Sequence, residues 1–479
     1  MTKDMKTGRR DFLRQMTAIT AAAAMPAVVS YANSPAKVTP RKTKPGEKVK
    51  LAAVGIGNRG KEVFNKFEQT GLCEWVAFCD IDMGAPQTEA VLELYPDVPR
   101  YQDFRKMFKE MGKKIEAIYV ATPDHSHFPI TILAMSLGIN VYVEKPLAHT
   151  FYECELLMEA EKKYGVVAQM GNQGHSEANY FQFKAWKDAG IIKNVRAVTA
   201  HMNNSRRWHK WDYRLQSFFP EQPIPSTLDW DSWLCGEMYH KYNKDFVNGQ
   251  WRCWYDFGMG ALGDWGAHLI DTVHEFLELG LPTEINMLRA EGHNPFFYPY
   301  SSTIEFKFPA RGEMPPLDIT WYDGLDNIPA VPEGYGKLEL DPNIPAVAGG
   351  KIQPAKLNPG KIIYSDELTF KGGSHGSTLS IIPASKAKEM APLLPEVPKS
   401  TSNHFENFLL SCQGVEKPRS PFSVAGPLCQ VFCLGVIAQQ LNAHLKFDPE
   451  TKQFVNSPVA NLLLRRGIPR KGWEDFYDL

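Results

Sequence analysis

Apolar and polar positions follow two different periods through residues 49–170. Short apolar runs predict strands at residues 50–55, 74–80, 117–122, 140–144 and 166–170. Between these runs, apolar residues at helical spacing predict helices at residues 61–69, 129–137 and 152–164. Strands that alternate with helices of this length indicate a parallel sheet with helices on both faces. Residues 49–170 are therefore predicted to form a doubly wound α/β domain.

The pattern changes after residue 171 to β-rich segments separated by long loops that are dense in Trp, Tyr and Pro. Strands are predicted at residues 195–201, 283–291, 302–308, 318–322 and 368–370. Several of them alternate polar with apolar residues, which favours a large, mainly antiparallel sheet with one open face. A Pro- and Gly-rich stretch at 329–358 predicts a long loop or insertion, and residues 422–445 predict a helix. Residues 171–479 are thus expected to be a C-terminal α+β domain for substrate binding and oligomerisation.

The first 32 residues have the pattern of a targeting segment. Arg9-Arg10-Asp11-Phe12-Leu13-Arg14 precedes a mild apolar stretch at 16–29, and this arrangement resembles a twin-arginine export signal. Ser30-Tyr31-Ala32 supplies a cleavage site, although Gly8 stands where such signals usually have Ser or Thr. The alternative is a basic, disordered N-terminus. The stretch is too short to span a bilayer stably and no Cys follows it, so we expect no stable membrane anchor. These features predict export to the periplasm, with residues 33–48 as a linker.

Composition and charge narrow the class of partner. With 479 residues, 43% of them hydrophobic and 22% charged, the chain is expected to be a soluble protein of two domains. Lys and Arg total 53 against 54 Asp and Glu, so the net charge of -1 produces no field that would attract nucleic acid or an anionic membrane. The expected partner is a small, nearly neutral molecule.

A glycine motif lies between the first predicted strand and helix. Gly55-Ile56-Gly57-Asn58-Arg59-Gly60 fits G-x-G-x-x-G, in which the glycines allow a tight turn, close approach to a pyrophosphate and helix packing. Asp80 follows Gly60 by 20 residues, at the end of the second strand, where a carboxylate can accept hydrogen bonds from ribose hydroxyls. The Asp80 carboxylate would repel the 2′-phosphate of NADP, and no cation adjoins Asp80 in the sequence to offset this repulsion. The motif therefore predicts a Rossmann domain that binds NAD in preference to NADP.

Two further groups of candidate residues follow the next two predicted strands. Ligands bind beyond the carboxyl ends of the strands in open parallel sheets. The candidate cofactor-binding residues at this edge are Thr122, Asp124, His125, His127, Glu144 and Lys145. For the two histidines, contact with the cofactor and capping of a helix are both open.

A glycine-rich segment at 258–271 carries Asp264 and His268. The two residues are four apart, so on a helix they share one face and point into one cleft. Alternatives are a structural His beside an Asp, or a zinc site that includes His274. Because His268 and His274 do not share a helical face and a Lys is present, we predict no metal.

These segments together resemble the Gfo/Idh/MocA family of sugar and cyclitol dehydrogenases, and most of all an exported bacterial branch with an extended C-terminal domain. The resemblance covers nearly the whole chain after the N-terminal segment. It implies that Lys145 of Glu-Lys-Pro is catalytic. It also implies that His268 is the general acid/base and that Asp264 orients His268 or binds substrate.

The expected function is NAD(H)-dependent oxidation or reduction at a secondary hydroxyl or ketone of a sugar, cyclitol or glycoside. Seven of the 11 tryptophans lie between Trp208 and Trp265, where they can stack on a sugar or serve as packing. Candidate substrate residues are Asn172, Arg206, Trp208 and Arg252. A homo-oligomer, either dimer or tetramer, is expected.

Two other functions stay open. A redox-neutral glycosidase or lyase would resemble glycoside hydrolase family 109, whose members lack the lysine of Glu-Lys-Pro. A sugar-binding protein with a dehydrogenase fold and no catalysis is the second alternative. The presence of Lys145, Asp264 and His268 together argues against it.

Overall fold

The structure is a computed structural model that describes residues 38–203, 209, 211–247, 249–335 and 358–479. The predicted signal at 1–32, the first part of the linker, most of the loop at 329–358, and the candidates Arg206 and Trp208 lie outside these residues. The described residues belong to one compact unit.

The first sheet contains six parallel strands among the described residues. They are β1 (Val49–Val54), β2 (Cys73–Cys79), β3 (Arg100–Tyr101), β4 (Ala117–Val120), β5 (Asn140–Glu144) and β6 (Ala168–Gly171). Their spatial order is β3-β2-β1-β4-β5-β6, the order typical of a dinucleotide-binding Rossmann fold. The order reverses between β1 and β4, so a ligand crevice is expected beyond the carboxyl ends of these two strands.

Helices cover both faces of this sheet. They are α1 (Asn58–Thr70), α2 (Pro86–Leu92), α3 (Phe104–Met111), α4 (His127–Ser136) and α5 (Phe151–Tyr164). Sequence signals mark the ends of α5, because Thr150 and Glu153 form a capping box and Gly165 ends the helix in the left-handed conformation. The described part of the expected linker, residues 38–48, contains no helix or strand. They lie against the Rossmann domain, where the Arg41 N–H donates to the Gly138 carbonyl.

The second sheet contains nine strands among the described residues. They are β7 (Val195–Met202), β8 (Glu284–Glu291), β9 (Ser301–Phe308), β10 (Leu317–Asp323), β11 (Gly360–Ser365), β12 (Thr369–Gly372), β13 (Ser380–Ile382), β14 (His444–Asp448) and β15 (Gln453–Phe454). Their order is β13-β12-β11-β7-β10-β9-β8-β14-β15. The β7 and β10 strands pair in parallel, whereas the other neighbours pair antiparallel. The predicted α/β class, a Rossmann sheet followed by a domain with a mainly antiparallel sheet, is confirmed.

Helices of the C-terminal part are α6 (Ala178–Asp188), α7 (Trp230–Leu234), α8 (Lys244–Val247), α9 (Gly260–Phe276), α10 (Ala384–Met390), α11 (His404–Cys412), α12 (Phe422–Leu441) and α13 (Pro458–Leu463). The predicted helix at 422–445 was too long. Asn442 has a left-handed φ of 46° that ends α12, and the residues that follow form β14, which pairs with β8. Among the described residues, α12 alone is long and apolar enough to span a membrane, and most of it is buried inside the protein.

The α9 helix places the glycine-rich segment in the centre of the molecule. Its residues from Gly260 to His274 are buried, and it packs against both α12 and α6. Since α9 begins beside the carboxyl edge of the Rossmann sheet, where the Met259 N–H donates to Asp124, its first turns face the predicted ligand crevice.

Candidate active site

The glycine motif makes the turn from β1 to α1. Gly55 has a φ of 81°, and a Cβ there would lie 2.5 Å from the Ala121 carbonyl oxygen of the neighbouring strand end. A Cβ on Gly60 would lie 2.0 Å from the Gly55 carbonyl oxygen. The two glycines are therefore required for this close approach. Gly57 is the N-cap of α1 and no side chain caps the helix, which suits binding of an anion at its first turn.

Asp80 lies at the same turn. Its Oδ2 accepts hydrogen bonds from the N–H groups of Ile56 at 2.8 Å and Gly57 at 3.2 Å. Burial raises the pKa of Asp80 above its usual 3.8, and these backbone hydrogen bonds act in the opposite direction. A glycine turn, an uncapped helix start and a carboxylate thus lie together and fit a dinucleotide. The predicted contact of Asp80 with a ribose stays a prediction.

A segment of the C-terminal part closes over the loop that follows Asp80. The Asp229 N–H donates to the Ile81 carbonyl at 2.8 Å, and the Met83 N–H donates to the Thr227 carbonyl at 3.3 Å. The Gln102 side-chain amide donates to the same two carbonyls, of Ile81 at 3.0 Å and of Thr227 at 2.9 Å. Segment 227–229 therefore ties the ribose end of the predicted cofactor site to the C-terminal part.

The two histidines after β4 bind backbone carbonyl oxygens. His127 contacts the Pro146 carbonyl through Nδ1 at 2.7 Å and the Thr122 carbonyl through Nε2 at 2.9 Å. His125 contacts the Trp233 carbonyl through Nε2 at 2.7 Å and the Phe257 carbonyl through Nδ1 at 3.2 Å. Burial lowers the pKa of both rings, that of His125 to about 4. The structure therefore gives both rings a role in joining loops, and their contact with a cofactor stays a prediction.

Arg59 and Glu144 connect the glycine motif to the end of β5. Arg59 Nη2 donates to Glu144 Oε1 at 3.1 Å, and Gln173 Nε2 lies 3.3 Å from the same oxygen. Asn58, the first residue of α1, has a φ of 42°. The predicted cofactor residues Asn58, Arg59 and Glu144 are thus close to one another.

Lys145 and Asp264 form a buried ion pair between the Rossmann sheet and α9. Lys145 Nζ donates to Asp264 Oδ1 at 2.6 Å and to the Asp264 carbonyl at 2.9 Å. The two side chains are 12% and 2% exposed. Burial lowers the pKa of Lys145 from 10.5 to about 8, although Asp264 acts in the opposite direction. The ammonium therefore has a well-defined position and a pKa closer to neutrality than that of a free lysine.

His268 lies one turn after Asp264 on α9. Its side chain is buried and its Nδ1 has no hydrogen-bond partner among the described residues. Burial, then the charges of His375 and Lys145, lower the pKa of His268 well below its usual 6.5. The imidazole is neutral over the physiological pH range, which is the state that a proton acceptor requires.

His375 is a residue of this site that the sequence reasoning missed. Its ring stacks on that of His268, with centroids 3.9 Å apart and planes inclined by 18°. The residue stands in Gly372-Gly373-Ser374-His375-Gly376, on the loop after β12, and no motif in the sequence singles it out. Only the tertiary fold brings this loop to α9.

Two predicted substrate residues contribute to structure around α9. Asn172 Nδ2 donates to Asp271 Oδ2 at 2.8 Å and to the Ala267 carbonyl at 3.2 Å. The buried Arg252 donates from Nη1 to Asp124 Oδ2 at 3.0 Å, and its Nε lies 3.8 Å from Asp264 Oδ1. Both side chains thus bind protein partners, although Asn172 Oδ1 and Arg252 Nε have no hydrogen-bond partner among the described residues. Their contact with substrate stays a prediction.

Most tryptophans of the region pack on one another. Trp230 stacks on Trp233 with centroids 4.6 Å apart, and Trp254 lies 4.6 Å from Trp211. These rings belong to a buried apolar cluster, so their role is packing. Trp265 differs from them, because its ring lies nearly perpendicular to the rings of His268 and His375 in the site.

The described residues contain no group of three or more His, Cys, Asp or Glu side chains arranged to bind a metal ion. His274 Nε2 lies 2.9 Å from the Gly280 carbonyl oxygen, at the far end of α9.

Charges in the cleft compensate each other. Each cation forms an ion pair with a carboxylate, and the pairs are Arg59–Glu144, Lys145–Asp264 and Arg252–Asp124. A paired ammonium beside a neutral imidazole can stabilise negative charge on an oxygen and accept its proton.

Two family models match the chain. Residues 49–172 match the Gfo/Idh/MocA oxidoreductase family, NAD-binding Rossmann fold, and residues 182–293 match the C-terminal alpha/beta domain of the same family. Inositol 2-dehydrogenase of Salmonella typhimurium is 31% identical over 202 residues, which cover 40% of this chain and 56% of the relative. Inositol 2-dehydrogenase/D-chiro-inositol 3-dehydrogenase of Lactiplantibacillus plantarum is 26% identical over 193 residues, or 40% of this chain and 53% of the relative. The chain thus spans about half the length of these curated relatives.

Solved structures show the same fold. The WlbA dehydrogenase of Chromobacterium violaceum, in complex with NADH and UDP-GlcNAcA, matches with a TM-score of 0.56 and 13% identity over 86% of this chain and 99% of that chain. The aldose-aldose oxidoreductase of Caulobacter crescentus, complexed with glycerol, matches with a TM-score of 0.50 and 15% identity over 84% and 100%. With both domain models matched and this fold, the chain belongs to the Gfo/Idh/MocA family of oxidoreductases and begins its described fold with an NAD-binding Rossmann domain.

Proposed function

We propose that this protein is an NAD(H)-dependent oxidoreductase that acts on a secondary hydroxyl or ketone of a sugar, cyclitol or glycoside. The observation that carries the proposal is the Lys145–Asp264 pair, with Nζ and Oδ1 2.6 Å apart, one helical turn from the neutral His268. Oxidation of a secondary alcohol needs a proton acceptor and a group that stabilises the developing alkoxide at the same carbon. This site offers both.

Each residue of the site has one part in the proposed reaction. His268 takes the hydroxyl proton, and the Lys145 ammonium stabilises negative charge on the same oxygen. Asp264 positions the ammonium through its two hydrogen bonds. NAD, bound by the glycine turn and Asp80, supplies the hydride acceptor.

The relatives support a polyol as substrate. The two curated relatives described above are inositol dehydrogenases, and inositol is a neutral cyclitol. The compensated charges of the cleft suit an uncharged molecule better than a phosphate or carboxylate ester, because no cation in the described cleft lacks a carboxylate neighbour.

A substrate panel tests the proposal. The purified protein, saturated with NAD, is mixed with sugars, cyclitols and glycosides while the absorbance of reduced nicotinamide is followed and products are identified by mass spectrometry. We expect reduction of NAD with at least one neutral polyol, and its loss in His268→Ala. NAD binding without hydride transfer from any member of the panel would instead favour a non-catalytic sugar-binding protein.

A redox-neutral cycle is a second candidate, in which a glycoside or keto-sugar is oxidised, undergoes elimination or epimerisation, and is reduced again. Segment 227–229 favours it, because its backbone hydrogen bonds to Ile81 and Met83 oppose opening of the ribose end and so favour a cofactor that stays bound. Protein as isolated, without added NAD, is incubated with glycosides in deuterated water and followed by NMR. A product that carries solvent deuterium on the carbon next to the oxidised one supports the cycle. Product formation only when NAD is added, with one NADH released for each product, excludes it.

Export and assembly are parts of the same proposal. Arg9-Arg10 and the apolar stretch at 16–29 support periplasmic delivery by the twin-arginine route. An enzyme in that compartment meets little free NAD(H), which agrees with a retained cofactor. We also propose a dimer or tetramer, which light scattering after size-exclusion chromatography measures directly.

A further inference from the structure

The stacked pair of His268 and His375 joins two distant parts of the chain. Besides the ring stacking at 3.9 Å, the His375 N–H donates to the His268 carbonyl at 3.0 Å. His375 has a left-handed φ of 53°, so its ring is presented to α9 by an unusual backbone conformation. Two imidazolium rings at this distance repel each other strongly, so the pair binds one proton more readily than two.

The surroundings of His268 disfavour a proton on that ring. His268 is 6% exposed and loses hydration when charged. Lys145, from the loop after β5, and Arg59, from α1, are cations that act against its protonation. The leading anion that acts on it, Asp264 of its own helix, is already bound to Lys145 at 2.6 Å. Trp265, whose ring is nearly perpendicular to that of His268, carries no charge.

The His375 ring stands in a more exposed and more polar setting than the His268 ring. Its ring is partly exposed, and its Nδ1 lies 2.8 Å from the Ser374 hydroxyl. The Glu177 carboxylate, at the start of α6, lies against the neighbouring Gly376, where a Cβ would come within 1.6 Å of Glu177 Oε2. Asp271, another carboxylate near this loop, is engaged by His175, whose Nε2 is 3.2 Å from Asp271 Oδ2.

We propose that His375 is a positioning residue for proton transfer: the stacked pair carries a single proton, His375 takes it, and His268 stays neutral as the base. The proposal rests on the proposed function, in which His268 accepts the hydroxyl proton. Burial and then the charge of His375 are the leading causes that lower the pKa of His268, in agreement with this assignment.

The pH dependence distinguishes this role from packing. A phenyl ring retains the stacking surface of His375 but cannot be protonated, so His375→Phe removes the competing charge alone. We expect the pKa of His268 and the acidic limb of the kcat/KM profile to rise together by roughly 1 unit, since a like charge at this range shifts a pKa by about that much or more. At pH values below the acidic limb, kcat/KM of His375→Phe is then about 10-fold lower than that of the parent. At pH values above the limb, the two values of kcat/KM are equal.

Two further variants make the test complete. His375→Gln removes the charge while it preserves a polar partner for Ser374, so it replaces the phenylalanine variant if that one does not fold. His444→Gln, at an exposed position of strand β14, replaces a histidine outside the site and should leave the profile unchanged. Imidazole titrations are followed by NMR with ¹³C-labelled histidine, and kcat/KM is measured over the same pH range.

The outcomes separate the two proposals. An unchanged titration of His268 in both His375 variants would overturn the pairing, even if the profile moved, because the limb would then belong to another group. A shifted titration of His268 with an unchanged profile would sustain the pairing and refute His268 as the base. Upward shifts of both quantities support both proposals, and a downward shift of the His268 titration would overturn the pairing.

Discussion

The buried Lys145–Asp264 pair predicts two separable effects of Lys145→Met. The substitution keeps the length of the side chain and removes the ammonium that lies 2.6 Å from Asp264 Oδ1. Asp264, 2% exposed, then has Arg252 as its nearest remaining cation, with Nε 3.8 Å from Oδ1. The catalytic effect comes from the lost charge, and the stability effect comes from the stranded carboxylate.

The catalytic effect follows from the position of the ammonium. Removal of one preorganised donor to a developing oxyanion costs about 2.7–4 kcal/mol, or roughly 10²–10³-fold in kcat. Removal of one partner of a buried ion pair costs about 3–5 kcal/mol of stability. Because Arg252 still faces Asp264 and Lys145 is partly exposed, we expect the lower end, about 3 kcal/mol.

A double variant separates the two effects. Lys145→Met combined with Asp264→Asn leaves no buried charge unpaired at this position, so much of the lost stability should return while activity stays low. Unfolding in denaturant gives the stability of each variant, calorimetry gives its NAD affinity, and steady-state kinetics give kcat/KM. Parental turnover in Lys145→Met on the true substrate would refute the catalytic assignment. Equal stability of the single and double variants would refute the stranded-carboxylate explanation.

Three other substitutions have defined outcomes. Asp80→Ala should weaken NAD binding and reduce the ratio of the affinity for NAD to the affinity for NADP, as measured by titration with both cofactors. Equal affinities of the parent protein for NAD and NADP would show that Asp80 does not face the ribose. Replacement of Arg9 and Arg10 by Lys should leave the protein in the cytoplasm on cell fractionation, and unchanged periplasmic delivery would point to another export route. Arg252→Leu should lower the free energy of unfolding by about 3–5 kcal/mol, because it strands the fully buried Asp124; a change near zero would mean that Arg252 is not a structural ion-pair partner.

Periodicity predicted the Rossmann part well because its signals are local. The strand expected at 140–144 is β5 with the same bounds, and the helix expected at 152–164 begins one residue earlier, at Phe151. Further along the chain, pairing between distant strands decides the structure. The helix expected up to residue 445 ends at Leu441, because Asn442 adopts a left-handed conformation and the residues after it pair with β8.

The candidate site was predictable where a motif fixes it. Spacing and resemblance identified two segments, one with Lys145 and one with Asp264 and His268. The fold brings Lys145 and Asp264 into contact. His375 could not be found in this way, since its loop has no motif and reaches His268 only through the packing of the second sheet against α9. The expected contact of Asn172 and Arg252 with a substrate stays a prediction. Their hydrogen bonds to Asp271 and Asp124 could not be predicted, because they depend on tertiary contacts that no local pattern reports.

The central claim is that hydride passes between a secondary carbinol carbon of a neutral polyol and bound NAD at the site of Lys145 and His268. A single-turnover measurement with a polyol deuterated at the reacting carbon tests it most directly. The NAD-loaded protein is mixed rapidly with this substrate, reduced nicotinamide is followed by absorbance, and the cofactor is recovered for mass spectrometry. We expect a rise in absorbance that is slower than with the protiated substrate, deuterium in the recovered cofactor, and loss of the signal in His268→Ala. Unlabelled cofactor, or a parental rate in His268→Ala, would contradict the proposed function.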